Sequence, residues 1–371
     1  MQLTALYALP DHEVVAALLP AVATRHLTDA QARARVADCQ GLVPVAIDHA
    51  NARVLWADLG AHPYREWQFL YTLEKLAKDG AVGECFASDA SLLADEAIAR
   101  DGIMPSGFIF HVSRCGSTLL AKSLARLPAH VVVNQGGPLQ RGFWALATDD
   151  WRRPLEPTPT HLRMFRNLVL AMTRRRAAGQ NRAFVKFISW NILYASFVMQ
   201  AFPGVPCLFL YREPVEVIAS VMKETTAALV AKPTRQAGFL IAGDWRKAAA
   251  MGDIEYLARC YANYFRTALA IADARLHYLN YTAITRDNLA AILRKGLHFD
   301  PAEADLAAML EQFRYHSKDD SDRQSFRPDS AQKQAAMADA DRRLVGEICK
   351  GLIEKLDNAQ RNLFAAQALS V

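Results

Sequence analysis

Apolar and polar positions change rhythm near residue 105. Upstream, a helix-like beginning gives way to two apolar runs, Val43-Pro44-Val45-Ala46-Ile47 and Arg53-Val54-Leu55-Trp56-Ala57, which flank the turn-like Asp48-His49-Ala50-Asn51. Two strand-type runs joined by a short polar turn predict a hairpin. Helical periodicity follows from Glu66 to Lys78, and nothing in residues 1–104 attaches to chemistry.

From Pro105 onward, short apolar runs alternate with stretches of helical periodicity, the pattern of βαβ units around a parallel sheet. Strands are expected at Gly107 to Val112, His130 to Val133, Ala183 to Phe187, Pro206 to Tyr211 and His277 to Tyr281. Helices are expected at Ser117 to Leu127, His161 to Arg175, Trp190 to Ala201, Val215 to Lys223 and Ile254 to Ala274, with more at Glu303 to Phe313 and Gln334 to Gln367. In the helix from Ile254, the residues Ile254, Leu257, Tyr261, Tyr264, Phe265, Ala268 and Leu269 recur on one face. The fold class is therefore α/β: a central parallel β-sheet flanked by helices at 105–371, with a small N-terminal α+β appendage at 1–104.

Composition narrows the function classes. Of 371 residues, 52% are hydrophobic and 22% charged. The longest apolar stretch, Trp190 to Phe202, contains Asn191, Ser196 and Gln200 and falls short of the roughly 20 residues that span a bilayer. No integral membrane segment is expected, and the absence of a signal-peptide pattern at the N-terminus points to a cytoplasmic location. Six cysteines lie scattered without CxxC or Cys/His spacing, which argues against a zinc site and a disulfide framework. A net charge of +5 suits an anionic ligand in one cleft better than a nucleic-acid surface. The densest basic run, Arg174-Arg175-Arg176, follows the amphipathic stretch Leu162 to Met172 and reads as a solvated helix end.

Phe108 to Leu127 carries the chemistry. Phe108-Ile109-Phe110-His111-Val112 is a strand, Ser113-Arg114-Cys115-Gly116-Ser117-Thr118 a small polar loop, and Leu119, Leu120, Ser123, Leu124 and Leu127 recur with helical spacing. A helix N-terminus presents unpaired N–H groups to an anion, and a glycine lets the backbone approach it closely. Ser117 and Thr118 add hydroxyl donors and Arg114 a permanent forked charge. The ordinary ATP loop, G-x-x-x-x-G-K-[ST], would need a first Gly and a Lys that this segment lacks. A kinase or ATPase is accordingly the weaker alternative.

A second segment changes the picture. Cys207-Leu208-Phe209-Leu210-Tyr211 leads into Arg212-Glu213-Pro214-Val215-Glu216-Val217-Ile218-Ala219-Ser220, about 95 residues after the loop. Ser113 to Leu120 resembles the 5′-phosphosulfate loop of sulfotransferases that use 3′-phosphoadenosine 5′-phosphosulfate (PAPS). The later segment resembles their 3′-phosphate signature, a strand ending in Arg and then a helix with Ser eight residues on. The resemblance implies a P-loop-like sulfotransferase fold, PAPS as donor substrate and no metal. It implies that Ser113, Arg114, Cys115, Gly116, Ser117, Thr118, Arg212 and Ser220 hold the nucleotide, and that Arg114 polarises the sulfuryl group. Pro214 suits a first helical turn, so Arg212 falls at the carboxyl end of a strand beside the loop. A small molecule, a lipid or a carbohydrate is the expected acceptor, and residues 1–104 are expected to shape its pocket or a homo-oligomer contact.

Several positions depart from the family pattern. No His follows Lys186, and Gln135 stands where an acid would serve as base. Lys186 either steadies the sulfuryl group or is a charge at a strand end. His111 is either a base or a core histidine, and Gln135 an acceptor contact or a loop residue. Cys115 stands where the family often has Ser. Tyr281 ends a late strand that the family usually ends in Tyr-Glu, with Thr282 replacing the acid. The candidate lid, His316 to Ser330, offers Lys318, Arg323 and Arg327 but no Gly. A PAPS-binding scaffold that lacks catalysis is the second alternative.

Overall fold

Strands buried on both faces read as continuous apolar runs, and the five expected after Pro105 form one parallel sheet in the computed structural model, which describes residues 10–318, 321 and 337–365. They are β4 (Pro105–His111), β5 (His130–Asn134), β6 (Arg182–Lys186), β7 (Cys207–Tyr211) and β8 (Leu276–Asn280), in the order β5-β6-β4-β7-β8. Phe108, Ile109 and Phe110 of the central β4 are fully buried, each contributing about 1.5–3 kcal/mol of transfer free energy. Register brings three functional positions into line: Lys186 pairs with both Ile109 and Asn134, and His111 pairs with Leu210. The chain builds β5 and β6 on one side of β4 and then crosses to β7 and β8 on the other. That switch in direction opens a crevice at the carboxyl end of β4, the usual ligand position in such sheets.

The expected hairpin is present as β1 (Leu42–Asp48) and β2 (Arg53–Asp58), antiparallel. A third strand, β3 (Cys85–Asp89), escaped the sequence reading; it is short and pairs with β2, placing Cys85 opposite Ala57. Among the described residues, the helices of eight residues or more are α1 (Asp11–Leu18), α2 (Asp29–Asp38), α3 (Phe69–Lys78), α4 (Ser117–Ala125), α5 (Pro159–Met172), α6 (Pro214–Lys223), α7 (Asp253–Ala270), α8 (Leu289–Leu297), α9 (Glu303–Leu310) and α10 (Asp339–Cys349). The helix expected from Trp190 begins as a 3₁₀ turn over Ser189–Tyr194 and becomes α-helical only at Ala195–Ala201. The long helix expected over Gln334 to Gln367 begins outside the described residues. Within them it is α10 and a separate piece, Leu352–Asp357, divided where Gly351 takes a φ of 70°. No described helix is long and apolar enough to cross a membrane.

The arginine run corrects the sequence reading. Helix α5 ends at Met172, before the run, and Arg174 and Arg176 are buried. Arg174 donates from Nη1 to the carbonyls of Cys39 and Leu42 at 3.3 and 3.2 Å and from Nη2 to Asp101 at 3.0 Å. Arg176 donates to the carbonyls of Gly60 and His62 and stacks 3.8 Å from the Tyr64 ring centre. These carbonyls flank the N-terminal strands, and a backbone carbonyl has two lone pairs to offer a donor. The two guanidinium groups bridge to them and fasten the antiparallel sheet to the rest of the molecule. One continuous apolar core joins the two sheets, from Val43 and Trp56 to Phe108 and Phe209.

Candidate active site

After β4 the chain turns sharply into α4. Ser113, Arg114 and Gly116 have φ of 75°, 49° and 80°. Successive residues on the left-handed side fold a backbone segment into a concavity of N–H groups, here just before a helix N-terminus. At Gly116 it is the φ of 80° that disfavours a side chain; a Cβ would also lie 2.8 Å from Ile284 Cδ1, the movable tip of a side chain. Ser113 and Arg114 hold the same conformation with side chains, which costs about 1–2 kcal/mol each.

Two contacts over-determine that strained turn. The Ser113 N–H donates to His111 Nδ1 at 2.9 Å, while the carbonyl of Phe187 lies 2.9 Å from His111 Nε2. A carbonyl can only accept, so Nε2 carries the proton and Nδ1 accepts. Burial, aided by the charge of Lys186, lowers the ring's pKa to about 3. His111 is therefore a neutral brace with both nitrogens committed, an arrangement that does not suit a base. The second contact comes from Arg212, whose Nη1 donates to the Arg114 carbonyl at 3.0 Å.

The loop side chains divide in direction. Cys115 is wholly buried, its Sγ 3.4 Å from the Leu210 carbonyl, and burial lifts the thiol to about 11. It can offer a ligand only its backbone. Arg114 turns toward the crevice and pairs through Nη1 with Glu224 Oε2 at 2.7 Å. The same carboxylate oxygen accepts from Lys318 Nζ at 2.9 Å. Burial alone would raise the pKa of Glu224, but the Arg114 and Lys318 charges outweigh it and hold the carboxyl below its ordinary value. Lys186, fully buried at the end of β6, donates to Thr118 Oγ1 at 3.1 Å. Burial drives its ammonium down to about 7.

Arg212 follows β7 and is itself 4% exposed. Its Nε donates to Glu216 Oε2 at 2.6 Å, one turn on, and its guanidinium carbon lies 4.1 Å from the centre of the Tyr281 ring. Ser220 sits on the next turn of α6. These groups meet around one cavity of about 580 Å³, whose lining includes residues 113–119, Gln135, Arg212, Ser220, Lys223, Glu224 and Tyr281. Four cationic side chains, Arg114, Arg212, Lys223 and Lys318, face it against the single carboxylate of Glu224 among the described lining residues. Gln135 Oε1 is a buried acceptor without a partner, and the Gln135 N–H donates to the Lys186 carbonyl at 2.8 Å.

Two features of the site were missed in the sequence. Trp67 and Gln68, from the region that showed no chemistry, line the cavity, and Lys318 Nζ lies 5.1 Å from the Trp67 ring centre. Lys223 and Glu224 close the end of α6. A polar pair there reads as an exposed terminus; only the fold reveals that it faces Arg114. Of the candidate lid, His316, Ser317 and Lys318 line the cavity, whereas Arg323 and Arg327 lie outside the described residues.

No protein-family model matches the chain, and no curated protein matches its sequence. Among solved structures, the chain is similar to sulfotransferase STF9 from Mycobacterium avium, at 12% identity over 74% of this chain and 84% of that one, with a TM-score of 0.41. It is also similar to sulfotransferase STF1 from Mycobacterium tuberculosis H37Rv, at 12% identity over 78% of this chain and 89% of that one, with a TM-score of 0.39.

Proposed function

We propose that the protein is a sulfotransferase that transfers a sulfuryl group from PAPS to a hydroxyl or amine. The observation that carries this reading is the opening of the loop at 113–118 and of the Arg212 and Ser220 pair onto one cation-lined cavity. A nucleotide with anions at both its 5′ and 3′ ends fits such a pair of cradles; a singly phosphorylated ligand leaves one of them unused. The amides of Gly116, Ser117 and Thr118 and the Arg114 guanidinium would hold the 5′-phosphosulfate, polarising the bond that breaks. Arg212 and Ser220 would hold the 3′-phosphate.

Lys186 would steady the transferring sulfuryl group. Its depressed pKa leaves it partly neutral near pH 7, and an arriving anion draws the proton back. The acceptor, a small molecule, lipid or carbohydrate, would enter beside Trp67, Gln68 and Gln135, whose partnerless oxygen can receive a donor hydrogen bond. The kinase or ATPase reading is weakened by Lys186, since its ammonium already occupies the Thr118 hydroxyl that a P-loop enzyme turns toward magnesium. A binding protein without catalysis is the rival that the commitment of His111 favours. The two separate on release of 3′-phosphoadenosine 5′-phosphate (PAP) from PAPS across a panel of hydroxyl and amine acceptors. Turnover with at least one acceptor is expected; tight PAP binding with no turnover on any of them would establish the rival.

A further inference from the structure

Transfer to a hydroxyl releases a proton, and the cavity has few groups able to take it. Among its described lining residues the carboxylate is Glu224 and the histidines are His111 and His316. His111 is committed on both nitrogens. Glu224 follows directly on α6, with its N–H donating to the Ser220 carbonyl at 3.3 Å. It therefore projects from the helix that carries Ser220 toward the guanidinium of Arg114, 2.7 Å away.

Resting on the sulfotransferase reading, we propose that Glu224 is the proton acceptor of the transfer, held on Arg114 and Lys318 until the phosphosulfate of the donor takes those two cations. The carboxylate is an internal anion on the cations that an incoming phosphosulfate would contact. In that state it is a poor base, because Arg114 and Lys318 hold its pKa down. Once the donor engages both, the partial burial of Glu224, whose side chain is 39% exposed, and the negative charge of the bound phosphosulfate both act to raise its pKa. The other charged or titratable described side chains lining the same cavity include Lys223, its neighbour on α6, Arg212 and His316. In the step itself the acceptor oxygen bonds to sulfur, and the bond from sulfur to the bridging oxygen breaks with its electron pair going to the 5′-phosphate. The hydroxyl proton passes to Glu224.

The test is single-turnover cleavage of PAPS by Glu224→Gln, with water and with 2-naphthol as acceptors, beside calorimetric titration with PAP. Cleavage is expected to fall by about 100-fold or more. PAP affinity is expected to stay equal or tighten, because the competing carboxylate is gone, and this binding also shows that the variant is folded. The acid limb of the wild-type rate profile should disappear. Cleavage within about threefold of wild type would overturn the proposal, as would a loss confined to His316→Ala. A wild-type protein that binds PAP yet cleaves PAPS with neither acceptor, or that does not bind PAP at all, would instead bring down the underlying sulfotransferase reading; a wild type that cleaves PAPS beside a Glu224→Gln that cleaves almost as fast brings down this proposal alone, so the two failures are told apart.

Discussion

Arg212 Nη1 donates to the carbonyl of Arg114 at 3.0 Å, across 98 residues of sequence. The two segments that resemble nucleotide-binding motifs are thus one mechanical unit: the guanidinium that ends β7 fixes the backbone of the loop that follows β4.

Removing Arg212 should therefore do two separable things. Arg212→Leu leaves the buried Glu216 carboxylate without its guanidinium, at a cost of about 3–5 kcal/mol, and weakens PAP binding by about 100-fold, to the level of adenosine 5′-monophosphate. Arg212→Leu with Glu216→Leu should recover most of that stability in urea unfolding and none of the lost affinity in calorimetry. Recovery of both would reduce Arg212 to a structural salt bridge.

Gly116 tests the backbone cradle without touching a charge. Gly116→Ala demands a φ of 80° from an L side chain and sets a Cβ 2.8 Å from Ile284 Cδ1. A loss of about 1–3 kcal/mol in stability is expected, with PAP affinity reduced by about tenfold or more as the amides turn away. An unchanged affinity in calorimetry would mean that the loop amides do not meet the ligand.

His111 should appear in stability rather than in the rate profile. Its folded pKa lies near 3, below the ordinary 6.5, so between those values the unfolded chain binds the extra proton and stability falls on acidification. Above pH 6.5 both states are neutral and the contribution is fully present. His111→Gln should flatten acid unfolding by up to about 1.4 kcal/mol per pH unit in that window. If the variant and the wild type lose stability in parallel from pH 6.5 to 4, the ring does not titrate as its burial beside Lys186 requires.

Lys186 sets an opposite dependence for the ligand. Its ammonium has a pKa of about 7 in the ligand-free protein, and only the protonated form attracts an anion. Affinity for PAPS should be greatest below pH 7 and decline as the pH rises through 7 toward 9. Lys186→Met should bind more weakly at pH 6 and lose the alkaline decline. A decline that persists in the variant would assign it to another group.

What the sequence made legible follows from the distance over which each signal acts. The buried parallel strands announce themselves as apolar runs, and the loop at 113–118 carries its chemistry within six residues. Contacts between distant segments leave no such trace. The committed state of His111 depends on the Phe187 carbonyl, 76 residues on. Arg174 looked like the solvated end of a helix because its partners, the carbonyls of Cys39 and Leu42, come from more than a hundred residues earlier. Trp67 and Glu224 were silent for the same reason: each is an ordinary residue at an ordinary place until the fold turns it toward the shared cavity.

The central claim is that the cavity clamps a nucleotide at both phosphates, and calorimetric titration of the wild type with PAP and with adenosine 5′-monophosphate addresses it most directly. PAP should bind about 100-fold more tightly, the 2.7 kcal/mol or so that one charge-assisted contact to a second phosphate supplies, and Arg212→Leu with Glu216→Leu should erase the difference. Equal affinity for the two nucleotides, or no binding of PAP, would contradict the account.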